Sequence, residues 1–202
     1  MKRLLLLIPS TTYRTTDFVG AAKRLDVELV VGTERRQTLE GMSDGMATFN
    51  FKNPDKGTQQ IVAFAKKCPL DAIVAVDDGA VVLAARSAED LSLVHNKPEA
   101  VVATRNKHRL RQLLDESGLP TPKFRLTRID ENPQIIAADI TFPCGLKPVM
   151  LSASQGVIRA DNPRQFIAAF ARIAGILHEA TAQIDTKSES EAVQQILIED
   201  YV

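Results

Sequence analysis

The chain has 202 residues, 45% of them hydrophobic, which is ample for a packed core and suits one or two small domains. Lys plus Arg equals Asp plus Glu at 25 each, so the zero net charge argues against a general nucleic-acid binder, and no apolar run reaches membrane-spanning length. Cys68 and Cys144 lie far apart and suggest neither a disulfide framework nor a metal site.

Met1 to Pro9 superficially imitates a signal peptide, but its apolar run is only five residues and stops at Pro9. A first β-strand over residues 3–9 is the better reading, and a cytoplasmic home is expected. Thr16 to Leu25 carries Phe18, Ala21, Ala22 and Leu25 at helical spacing, with Asp17 near its start. Residues 27–31 form a second buried strand, closed by Gly32. Glu34 to Met46 reads as a loop or short helix, and residues 47–51 as a short strand. A helix follows from about Pro54 to Lys67, burying Ile61, Val62, Phe64 and Ala65. Residues 72–76 are a strand ending at Asp77-Asp78-Gly79, and another helix runs from about Ala80 to Ala88. Apolar strands alternating with helices imply a parallel sheet covered on both faces.

The chain changes character near His95-Asn96-Lys97-Pro98. Asn106 to Gly118 reads as a basic amphipathic helix with Leu110, Leu113 and Leu114 on one face, and Gly118 as its natural stop before Pro120 and Pro122. Residues 124–128 and the runs near 143–150, 157–160 and 194–202 look like strands of a second sheet, with antiparallel pairing across the 147–158 turn. Gln165 to Ala182 is a long helix whose first turn is supplied by Asp161-Asn162-Pro163. Thr186 to Glu191 reads as a polar surface loop. The division expected is an α/β domain over residues 1–105 and a small α+β unit over 106–202.

Pro143 to Val157, PCGLKPVMLSASQGV, is the stretch that carries chemistry. A strand bearing Lys147 runs into a loop of small residues, Ser152, Ala153, Ser154, Gln155 and Gly156. Small side chains let successive backbone N–H groups approach phosphate oxygens, and the ammonium adds a point charge. A lysine in an apolar strand must meet an anion or reach water; a snorkelling edge lysine is the plainer alternative. Lys107, Arg109 and Arg111 together read as the wet face of a helix. Asp77 and Asp78 follow a parallel strand, where ligands gather in open α/β sheets, although an Asp-Asp-Gly turn explains them too. His95, His108 and His178 show no ligand spacing.

The order of a lysine-bearing helix with a GLPTP exit, then PxxLKP with a small-residue loop, then the strand ending in Glu199 resembles the front half of the ATP-grasp superfamily of carboxylate ligases. The resemblance covers nearly the whole chain, and it implies an N-terminal Rossmann-like domain followed by the first ATP-grasp subdomain. It also implies that Lys107 and Lys147 reach ATP, that Ser152, Ser154, Gln155 and Gly156 form the phosphate lid, and that Val157 lies against adenine. Ordinary core packing is the other reading of Val157. Glu199-Asp200-Tyr201-Val202 matches the segment along the purine edge. Arg109 and Arg111 receive no such role, and Arg111→Met is expected to be nearly silent. The lid departs from the family pattern in having Gly156 as its sole glycine, which makes it stiffer than a polyglycine loop.

What the resemblance implies about activity is ATP-dependent ligation of a small carboxylate to an amine through an acylphosphate, with magnesium as cofactor. The family's magnesium-binding acids and catalytic arginine follow the adenine-edge strand. The chain is therefore expected to be the N-terminal portion of such an enzyme, with metal ligands elsewhere, at most millimolar affinity for ATP and no turnover alone. Its strand at Leu197–Val202 is expected to find cover, by self-association or by disorder of the last residues. The lid LSASQGV looks closest to amino-acid or peptide-type ligases. A biotin-carboxylase-like fragment, or a non-catalytic nucleotide-binding or partner module, remains the alternative.

Overall fold

A computed structural model describes residues 1–10, 12, 14–35, 44–181 and 194–202. The chain splits into two compact units, Met1–Val102 and Ala103–Val202. In the first, strands β1 (Arg3–Leu7), β2 (Glu28–Thr33), β3 (Gly45–Thr48) and β4 (Ala72–Ala75) form a parallel sheet in the order β3-β2-β1-β4. Successive side chains on a strand point to opposite faces, so the run that opens the chain feeds two cores at once. Leu5 and Leu7 join Val30 of β2 and, from helices α2 (Pro54–Ala65) and α3 (Val81–Asp90), Ile61 and Leu83. Leu6 and Ile8 join Leu29, Val31, Val19 and Ala22, the last two from helix α1 (Thr15–Arg24). That is the expected parallel sheet with helices on both faces.

Several boundaries differ, each for a tertiary reason. Leu25 was expected on the buried face of α1, but it follows the last turn and is 72% exposed. Val19 and Ala22 carry that face. Gly32 does not close β2; it lies inside it, because a Cβ there would come within 2.8 Å of Leu7 and 2.9 Å of the Phe49 ring. The third strand starts at Gly45 and ends at Thr48, since Phe49 turns into the core beside Ile61. α2 stops at Ala65, two residues early. Its start is as the sequence suggests: Pro54 follows Asn53, whose side chain accepts from the Lys56 N–H at 3.0 Å. Asp78–Ala80 forms a single 3₁₀ turn, so the Asp-Asp-Gly segment is a turn leading into α3. The loop expected over 34–46 and the one over 186–191 lie partly and wholly outside the described residues.

Helices α4 (Pro98–Arg105) and α5 (Lys107–Glu116) follow. α4 has no counterpart in the sequence reading. Asn106 caps α5 by accepting from the Arg109 N–H at 2.9 Å, and Gly118, at φ +68°, takes the left-handed position just after its end. Leu110, Leu113 and Leu114 are only half-buried.

The second sheet is antiparallel, in the order β5 (Phe124–Arg128), β8 (Gln195–Asp200), β6 (Cys144–Pro148), β7 (Ile158–Ala160). The strand at the end of the sequence is therefore not the bare edge expected: β8 lies inside the sheet, paired with β5 on one side and β6 on the other, and needs no further cover. The expected hairpin is present, with Cys144 opposite Ala160 and Leu146 opposite Ile158. One face packs on α7 (Pro163–Thr181): Phe166, Phe170, Ile173 and Leu177 cover Cys144, Leu146, Ile196 and Ile198. A short helix unread in the sequence, α6 (Pro133–Ala137), adds Ile136 and Ala137. Among the described residues no helix is long and apolar enough to cross a membrane.

Burial has a chemical consequence at Cys144. Burial first, then Asp200 and Asp161, push its thiol up to about 11. The thiolate is the nucleophile, and below that pKa the folded protein holds the neutral thiol. At pH 8, iodoacetamide is therefore expected to modify half-buried Cys68 and spare Cys144, with both reacting in urea. Peptide mass spectrometry showing comparable native labelling of the two would contradict this packing.

Candidate nucleotide cleft

The face of the second sheet that α7 leaves uncovered carries the site. Gly145 on β6 sits opposite Glu199 on β8, and Lys147 is two residues along from Gly145, opposite Leu197. Diagonal neighbours on one face are within reach of long side chains, and the missing side chain at Gly145 leaves room over Glu199. The Lys147 ammonium crosses to the Glu199 carboxylate and forms an ion pair with Oε1. Arg111, from α5, donates Nε–H to Oε2 of the same carboxylate at 2.9 Å. Glu199 is 5% exposed, whereas Lys147 and Arg111 are about a quarter exposed. One buried anion thus carries two cations whose outer sides meet an open cleft.

That cleft holds about 460 Å³. Lys147, Arg111 and Glu199 line its floor; Val157, Arg159 and Tyr201 form walls, and Val202 lies at its edge. Val157 is 43% exposed, so it is a wall residue and the core-packing reading does not hold. The Arg159 guanidinium lies 4.3 Å above the centre of the Tyr201 ring and also pairs with Asp161 at 2.7 Å. Burial, and then the Arg111 guanidinium, draw the Lys147 ammonium below the ordinary lysine range. Its direct pair with Glu199 acts in the opposite sense.

Of the residues singled out in the sequence, Lys147, Val157, Glu199, Tyr201 and Val202 come together here. Lys107 does not line the cleft. Its ammonium donates to the carbonyls of Pro148, at 3.0 Å, and Leu151, so it fastens the junction between β6 and the lid. Ser152, Ser154 and Gln155 are exposed on the lid turn and, with Gly156, stand outside the cleft lining. Ala153 and Ser154 adopt φ of +52° and +58°, the left-handed conformation glycine takes freely. The turn therefore has the shape of a glycine-rich loop without its glycines, at a cost of about 1–2 kcal/mol per residue. At Gly156, φ +71°, a Cβ would come within 2.8 Å of Pro148, so glycine is needed there.

Arg111 is a correction. The sequence reads it as solvated charge, yet it holds the buried acid. No local signal marks it: Arg111 shares a helix face with Lys107, which stands outside the cleft, and only the contact with Glu199, 88 residues away, sets it apart. Arg159 was missed as well, although a strand places it on the same face as Val157, two residues earlier.

Two family models match in succession: the ATP-grasp N-terminal domain over residues 19–94, and the ATP-grasp domain over residues 140–202. The chain belongs to the ATP-grasp superfamily. Its second match covers β6, the lid, β7, α7 and β8, the elements that build the cleft. Formate-dependent phosphoribosylglycinamide formyltransferase of Mycolicibacterium vanbaalenii is 29% identical over 154 residues, 74% of this chain and 38% of that protein. Among solved structures, L-amino acid ligase from Bacillus licheniformis shares the fold of the whole chain, with TM-score 0.75, 18% identity and 47% of its own length covered. So does N5-carboxyaminoimidazole ribonucleotide synthetase, in complex with ADP, with TM-score 0.66, 13% identity and 47% of its length covered. The ATP-grasp chain spans little more than a third of the curated relatives it matches.

Proposed function

We propose that this chain supplies the ATP-binding part of a ligase that joins a small carboxylate, of amino-acid or peptide type, to an amine. The observation that carries the reading is the cation pair, Lys147 and Arg111, on one buried acid at the floor of a cleft with an apolar wall. Adenine stacks against Val157, with its edge on the backbone of Asp200 to Val202, and the phosphates run toward Lys147 beneath the lid. The reaction has two steps. A carboxylate oxygen attacks the γ-phosphorus and ADP leaves, giving an acylphosphate. The amine nitrogen then attacks the acyl carbon, expels inorganic phosphate and loses a proton. Lys147 offsets phosphate charge, and such stabilisation with positioning is the main source of rate in phosphoryl transfer.

Magnesium accompanies ATP in the family this chain belongs to. Among the described residues no group of three or more His, Cys, Asp or Glu side chains is placed to hold a metal ion. Two unpaired cysteines accord with a reducing compartment, and we assign the protein to the cytoplasm.

The test is an NMR titration of the labelled protein, which reads weak as well as tight binding. ATP is expected to shift the amides of Gly145, Lys147, Val157, Glu199 and Tyr201 together. Shifts confined to residues 1–102, or an absence of shifts at ATP concentrations well above the millimolar affinity expected of this chain, would rule out the cleft.

A further inference from the structure

The nucleotide reading assigns Lys147 to phosphate, yet Lys147 is engaged with Glu199. Glu199 is buried, and a buried carboxylate stripped of its partner is strongly unfavourable. If Lys147 were its one partner, turning the ammonium toward an incoming anion would leave that charge bare. Arg111 changes the balance. Its guanidinium holds Oε2 while Lys147 holds Oε1, so the two cations occupy different oxygens and do not compete. A guanidinium stays charged at any working pH, and its rigid planar donors suit one fixed acceptor better than a mobile one. Two cations against one carboxylate also leave a surplus positive charge facing the cleft.

We infer that Arg111 is a positioning residue: it keeps Glu199 compensated, so that Lys147 can exchange the carboxylate for a nucleotide phosphate in the cleft. This rests on the nucleotide reading above. Arg111 arrives on α5 and Glu199 on β8, 88 residues apart, so the device exists only in the folded unit.

The experiment is a double-mutant cycle read by NMR titration with magnesium-ATP, on Arg111→Met, Glu199→Gln, the pair together, Arg111→Lys and Lys147→Met. Arg111→Met is expected to weaken binding about tenfold, because Lys147 is then held by an acid with no other partner. With Glu199→Gln already in place, adding Arg111→Met should change affinity by less than about threefold. Arg111→Lys, which keeps the charge, should stay within about threefold of wild type. An arginine that only supports the fold would lower the melting temperature and weaken binding equally in both backgrounds, which overturns the inference. Where Arg111→Met does not fold, Arg111→Gln makes the same comparison. Wild-type affinity in Arg111→Met alongside weakened Lys147→Met sinks this inference alone. Wild-type affinity in Lys147→Met sinks the nucleotide reading and this inference with it.

Discussion

Lys147→Met is expected to weaken ATP binding by about ten- to a hundredfold, the value of one partly buried charge-assisted hydrogen bond. The loss comes from the missing ammonium and not from collapse of the floor, because Arg111 still holds Glu199 at 2.9 Å. A melting temperature close to wild type should accompany it. The same ammonium sets a pH dependence. Burial and Arg111 lower its pKa, and lysine is charged only below its pKa. Binding should therefore fall away at a lower alkaline pH than an ordinary lysine would allow, and the Met variant should lack that limb. Lys107→Met should have a smaller effect, since Lys107 acts through the carbonyls of Pro148 and Leu151. Titrations of the three proteins between pH 7 and about 10.5 decide the point. Superimposable wild-type and Lys147→Met curves would mean that phosphate does not meet this lysine.

Phe166→Ala is expected to destabilise the unit Ala103–Val202 by about 3–5 kcal/mol. Phe166 is fully buried, edge-on to Phe142 at 6.3 Å and 6.2 Å from Phe170. With Phe170 it is one of two phenylalanines buried in the layer between α7 and the back of β6 and β8. Those two strands carry Lys147 and Glu199 on their other face, so the cleft depends on this packing without touching it. Urea unfolding followed by NMR signals of that unit should show the lost stability. Where the variant remains folded, its ATP affinity should be near normal. Ile135→Ala, at an exposed position on α6, serves as the control and should change stability by under about 0.5 kcal/mol. A Phe166→Ala cost below about 1 kcal/mol would show that the core closes without the ring.

What the sequence determined by itself was whatever local periodicity and local chemistry specify. The first strand, the helix start at Pro54, the Gly118 stop and the 143–160 hairpin all follow from neighbours a few residues apart. Each stands in the structure as read. Motif order along the chain likewise pointed to the superfamily. The remaining features depend on what the chain folds against. Gly32 looked like a strand end, and only the approach of Leu7 and Phe49 shows it to be a clearance inside one. Leu25 matched the helical period, yet the helix had ended. Arg111 and Lys107 are indistinguishable as helix cations in the sequence. Tertiary structure sends one to a buried carboxylate 88 residues away and the other to backbone carbonyls at the lid. The physical reason is that a charge takes its meaning from its partner and its burial, and both are set by strand register and helix placement across the unit.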